Sequence, residues 1–279
     1  MTSFPAASTT PDGVTIEPRN RKFDVKTALA GNWFGGDPFL TALFNALSLS
    51  FPSGEKEFID SVRHFEDRIS DEKLLMEIRG FYQQEGIHSR EHRRYNEQLC
   101  QARGYDLDEL EGVYLRMIET GKAHKRVTPE VKLASTVGSE HFTAGFAEIL
   151  LNSTYLDEAE PTIRELWLWH SMEELEHKSV AYDVYLQVAG GQKVRKRVMR
   201  LTMFMMLKST LTVTAKILRH DKQLWKWSTL KSATRFFLGK TGFMRQYMPH
   251  HKEFYRDDFH PWDADTRDLL EQWKPRLAA

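Results

Sequence analysis

The chain has 279 residues, 41% hydrophobic and 28% charged, a balance that supports one large or two small domains with a packed core. Lys plus Arg equals Asp plus Glu at 39 each, so bulk charge gives no reason to expect nucleic acid as a partner. The one cysteine, Cys100, excludes an internal disulfide, a cysteine-based zinc site and a thiolate-held iron–sulfur cluster, and fits a reducing cytoplasm.

Residues 1–22 are rich in Ser, Thr and Pro, lack the apolar stretch of a secretory signal, and read as a flexible N-terminal tail. Beyond them, alternating β-branched runs are nearly absent and breakers are sparse, which predicts an all-α chain. Ser53, ahead of Phe58, Val62, Phe65 and Ile69 at helical spacing, predicts an N-cap and helix one. Ser70-Asp71 opens a long helix two through Leu74, Ile78, Phe81, Tyr95 and Leu99 to Gly104. Asp106 to Thr120 reads as a shorter crossover helix. Thr128 with Pro129 is an N-cap followed by proline at the first helical position, so helix three covers 131–151. Helix four starts at Pro161 and reaches Val188, where Gly190-Gly191 stops it. The expected organisation is a bundle over 23–190 and a C-terminal helical extension, 191–279, packed on it.

Two segments read Glu-x-x-His: Glu85 to His88 on helix two, and Glu174 to His177 on helix four. Random ordering of this composition yields about one such match, so the motif alone carries little. The setting adds more. Residues three apart share one helix face, so each segment points a carboxylate and an imidazole the same way. Helices one and three each supply a further carboxylate, Glu55 and Glu140, giving the order Glu, Glu-x-x-His, Glu, Glu-x-x-His. One Glu from each of two helices and Glu-x-x-His from each of the other two is the dimetal carboxylate set of ferritin-like four-helix bundles. Solvated charges on helix faces are the alternative. Gly86, Gly138 and Gly145 weaken these helices unless a substrate or a neighbouring helix needs the room.

Four segments carry a family resemblance: Phe-Pro-Ser-Gly-Glu (51–55), Phe-Tyr-Gln-Gln-Glu-Gly-Ile-His-Ser-Arg-Glu-His (81–92), Ser-Glu-His-Phe-Thr-Ala (139–144), and the run from Leu166 to Tyr185 around Trp-His-Ser-Met-Glu-Glu-Leu-Glu-His. They resemble the bacterial family named "predicted metal-dependent hydrolase". The ligand pattern is also similar to that of the p-aminobenzoate N-oxygenases, ferritin-like di-iron enzymes with an additional His four residues before the last Glu-x-x-His. His170 occupies that position, and the resemblance makes it a seventh ligand. His92 is expected to hydrogen-bond a liganding carboxylate, with direct ligation as the alternative, and Glu173 and Glu176 to support the ligands or lie at the surface.

The expected activity is O₂-dependent oxidation of a small organic substrate at two metal ions, iron first and manganese or zinc next, with electrons from an external donor. The alternative is hydrolysis of an ester or phosphate at the same dinuclear site; a third reading is metal storage without turnover. His220-Asp221 has the dipeptide of a phosphohydrolase metal site but not its other ligands. In the C-terminal third, a basic run from Lys193 to Arg200 precedes an apolar stretch from Leu201 to Leu218 broken by Lys208 and Lys216. A helix packed on the bundle is expected there, with peripheral membrane contact through 193–218 as the alternative.

Overall fold

Asp37 sets the first helix. Its side chain accepts from the N–H groups of Phe39 and Leu40 and Pro38 fills the first turn, so α1 runs Pro38–Arg63. The N-cap expected at Ser53 therefore lies mid-helix, because Pro52 sits within α1 rather than before it. Proline has no N–H to give the carbonyl four residues back, which is that of Ser48. The side-chain amide of Asn96 donates to that carbonyl instead, at 3.2 Å.

The computed structural model describes residues 7–277, which are helical apart from turns, loops and one isolated bridge between Phe34 and Ala159. Helix α2 (Glu72–Arg103) is capped by Asp71 and closed by Gly104 in the left-handed conformation, as its sequence predicts. The crossover helix α3 (Leu107–Ala123) follows, and Thr128 caps α4 (Pro129–Asn152). Helix four of the sequence is broken at Lys178 and Ser179 into α5 (Pro161–His177) and α6 (Val180–Val188). The extension holds α7 (Gln192–His220), α8 (Trp227–Leu238), α9 (Phe243–Glu253) and α10 (Arg267–Leu277). Of these, α7 packs along α1, α3 and α4, and α10 against α5.

Two apolar clusters build the core, one around Phe44, Trp167 and Trp169, the other around Phe65, Phe81 and Tyr182. Every bundle helix runs from one to the other: α1 passes from Leu49 in the first to Val62 in the second, and α5 with α6 from Leu175 to Val180. Helices α2 and α4 travel the opposite way, from Phe81 to Tyr95 and from Val137 to Ala144. Neighbours α1 and α2 are thus antiparallel, as are α4 and α5, while α2 and α4 are parallel, which is why a crossover must join them. This arrangement is compatible with a ferritin-like bundle.

Glycine allows close packing at two of the three positions singled out. A Cβ at Gly138 would meet the Met199 sulfur of α7 at 3.1 Å, and one at Gly145 would meet the ring of Tyr247 on α9 at 3.1 Å. Gly86 has no such neighbour.

The segment read as a flexible tail is held down wherever it is described; residues 1–6 lie outside the described residues. Thr9 donates to Asp183, and the Arg19 guanidinium pairs with both Glu173 and Glu176 on α5. Two buried acids three residues apart need a cation, and the low-hydropathy N-terminal segment supplies it.

Candidate metal centre

Between the two apolar clusters lies one polar layer. Glu55 of α1, Glu85 and His88 of α2, Glu140 of α4, and His170, Glu174 and His177 of α5 are all 4% exposed or less. All seven side chains named from the sequence converge there. Their ligand atoms form two groups, each within 4.8 Å: Glu55, His88 and His170 in one, and Glu85, Glu140, Glu174 and His177 in the other. Glu174 joins them, with Oε1 2.9 Å from His170 Nε2 and Oε2 3.6 Å from His177 Nε2.

The hydrogen bonds outside the layer decide how its imidazoles face. His88 Nε2 lies 2.9 Å from Glu173 Oε2, a group that accepts, so the proton sits on Nε2 and Nδ1 turns a lone pair inward. Gln84 gives its amide hydrogens to Glu176 (2.6 Å) and the Glu17 carbonyl (3.3 Å), so its oxygen accepts from His177 Nδ1 at 2.8 Å. His177 Nε2 then faces Glu85, Glu140 and Glu174, at 3.1, 3.5 and 3.6 Å; burial opposes its charged form, but Glu174 and Glu85 outweigh it and hold the ring well above the usual histidine range.

For His170 the reasoning starts at Pro52. Asn96 must turn its NH₂ toward the orphaned Ser48 carbonyl and toward Glu111, which leaves its oxygen to accept the Ser48 hydroxyl at 2.7 Å. That hydroxyl has spent its one proton, so His92 Nδ1 donates to it at 2.8 Å. Burial, then the charges of His170 and His88, hold the His92 pKa well below the usual range, so the ring is neutral and Nε2 accepts. His170 Nδ1 is the donor across that 2.8 Å contact, and its Nε2 hydrogen-bonds Glu174 Oε1 at 2.9 Å. Three imidazoles therefore turn their inner ring nitrogens toward four carboxylates.

Such a layer calls for cations. Both oxygens of Glu55, Glu85 and Glu140, Oε2 of Glu174, Nδ1 of His88 and Nε2 of His177 are buried without a hydrogen-bond partner. Burial, followed by repulsion from neighbouring carboxylates, pushes Glu55 and Glu140 well above the usual carboxylate range. Burial also raises Glu85. Burial works on Glu174 too, but its bonds to His170 and His177 and their charge outweigh it, so this carboxyl falls well below the usual range. Protons held by these groups are what a bound metal displaces. The donor set, oxygen-rich with imidazole, fits iron, manganese or zinc.

The supports resolve several expectations. Glu173 bonds to His88, and His92 bonds to the His170 ring and the Ser48 hydroxyl rather than to a carboxylate ligand, because both its nitrogens are taken by these neighbours. Glu173 also accepts from Trp169 and Arg19, and burial pushes it up to about 7 against the lowering effect of Arg19. Glu176 is buried, bonded to Arg19, Gln84 and Lys274. Sequence reasoning missed Arg19, Ser48, Gln84, Asn96 and Lys274. The signal for Arg19 and Lys274 was the pair Glu173 and Glu176, one helical turn apart, just after two tryptophans and with no Lys or Arg three or four residues from either. His220-Asp221 is engaged elsewhere, with Asp221 bonded to Arg103 and Tyr105.

The family described as "Predicted metal-dependent hydrolase" matches residues 17–265, a span that contains every one of these donors. The chain belongs to this predicted metal-dependent hydrolase family. No curated protein and no solved structure matches it. Family membership supports an enzyme that uses a metal, and within the matched span the polar layer is where carboxylates and imidazoles gather to hold one.

Proposed function

We propose that this member of the predicted metal-dependent hydrolase family is a dinuclear metal enzyme whose seven ligands are Glu55, Glu85, His88, Glu140, His170, Glu174 and His177. The observation that carries it is the set of three inward imidazole nitrogens facing four buried carboxylates. Charge gives the number. Four ionised carboxylates balance two divalent cations, whereas one cation would leave two negative charges uncompensated in a dry layer.

Hydrolysis is the reaction that the family description supports, and an ester or phosphate is the substrate we assign to it. A divalent pair supplies Lewis acidity and brings the pKa of water toward neutrality. The chain's own part is positional: Glu173, Gln84 and His92 each hold one N–H of a ligand ring, fixing its tautomer and its angle. Phe81 packs edge-on against His177, and Trp169 against His88, so an apolar ring shields each of these two imidazoles.

O₂-dependent oxidation is the second reading. Its support is the seven-donor set with a third imidazole and the closure of the layer, which suits a small diatomic better than a bulky ester. One experiment separates them. The metal-free protein, loaded anaerobically with zinc, manganese or iron(II), is given nitrophenyl ester and phosphate substrates and then oxygen. Hydrolysis predicts turnover with zinc or manganese and no oxygen, abolished by Glu174→Ala. Oxygen uptake and a visible band with iron(II) alone, without ester or phosphate turnover, would replace it by the second reading.

A further inference from the structure

The chain's zero net charge conceals a division. Between residues 192 and 252 there are 15 Lys and Arg against one acid, Asp221, and that acid is taken by Arg103 and Tyr105. The same stretch contains ten of the twelve exposed large hydrophobic side chains among the described residues. Basic charge and unburied apolar surface thus coincide.

Helix α7 shows how they are arranged. Its inner face, Met199, Thr202, Val213, Thr214 and Ile217, is buried against the bundle. Its outer face repeats every three to four residues: Val194, Leu201, Phe204, Leu207 and Leu211 are exposed, the middle three by 61, 61 and 50%. Lys193, Arg197, Arg200 and Lys208 are exposed among them. Lys196 and Lys216, at the flank, pair with Asp257 and Glu109. Past the end of the helix, Trp225 and Trp227 are 82 and 78% exposed.

We propose that the outer face of α7, with Trp225 and Trp227, is a docking surface for an anionic lipid membrane, on which the helix lies in the interfacial plane. Leucine and phenylalanine enter the acyl boundary, the interleaved bases meet the headgroup charges, and tryptophan sits at the level where an apolar ring with one polar edge is most favoured. Lys226 between Trp225 and Trp227 resembles a stacking site for nucleic acid, but the line of exposed aliphatic side chains along α7 has nothing to bind on a phosphate backbone and favours lipid.

Length and composition would let α7 cross a bilayer, but its packing forbids it. Arg195 on the inner face is fully buried and donates to the carbonyls of Phe254 and Arg256. Spanning would strip α7 from α1, α3 and α4 and carry that guanidinium into lipid.

The test is sedimentation of the full chain with phosphatidylcholine vesicles, with and without one-quarter phosphatidylglycerol, at low and high salt. Binding to the anionic vesicles is expected, roughly tenfold or more above neutral ones and falling with salt. The exposed changes Leu201→Ser, Phe204→Ser and Leu207→Ser together should abolish it, with an unchanged far-ultraviolet dichroism spectrum showing intact folding. Arg197→Glu with Lys208→Glu should remove the preference for anionic lipid. Equal sedimentation of wild type and the triple variant would overturn the proposal. So would a lipid-independent dimer dissolved by Phe204→Ser, which would make this face a contact between two copies, or binding to an oligonucleotide but to no vesicle.

Discussion

The two halves of the polar layer hold their ligands differently. In the carboxylate-rich half, three Glu from three helices surround one imidazole, whose ring is fixed by Gln84. The imidazole-rich half has a single Glu of its own and two rings, fixed by Glu173 and by the chain through His92, Ser48 and Asn96. One half is rich in charge, the other in oriented imidazoles, and Glu174 reaches both. Metal preference should follow: the first suits harder ions, the second those that favour nitrogen.

Breaking the shared element should have the largest effect. Glu174→Ala should lower bound metal from about two per chain to nearly none, read by elemental analysis after dialysis, because each half loses a donor and the charge balance fails. Two ions retained per chain would refute the two-metal scheme. Single-half changes should separate the sites. His88→Ala should leave one metal, held by the carboxylate-rich half, and Glu140→Ala one held by the imidazole-rich half; identical residual affinities for zinc and manganese in the two variants would erase the distinction drawn here.

Next in size is a change outside the ligands. Arg19→Met leaves Glu173 and Glu176 with less cationic compensation in a buried setting and should destabilise the fold by about 3 kcal/mol in urea titration. The smallest effect is expected of His92→Phe, which keeps the ring's volume and removes the acceptor for His170 Nδ1. Metal affinity should fall about tenfold in the imidazole-rich half only. A loss shared equally by both halves would mean that the His92 chain does not act through His170.

The helices and their inward carboxylates were legible because caps, spacing and the Glu-x-x-His pairs are local signals. The start of α1 was not. Pro52 reads as a boundary in isolation, and only Asn96, 44 positions later in sequence, supplies the hydrogen bond that lets the helix continue through it. The supports of the site were hidden for the same reason. Gln84 adjoins Glu85 yet points toward α5, and Arg19 comes from a segment with no periodicity to announce its destination. The break between α5 and α6 left no Gly or Pro in the sequence; Ser179 there bonds to Thr10 and Trp262, partners far away along the chain.

Glu176 is gripped from both directions, by Arg19 near the start of the described chain and by Lys274 near its end. During synthesis, then, the bundle helices emerge long before this carboxylate has its second cation, and the Gln84 that it orients is among the last groups to be fixed. A chain that stops short of Lys274 already carries all seven proposed ligands, residues 55 to 177, with the Glu176 that orients Gln84 held by Arg19 alone.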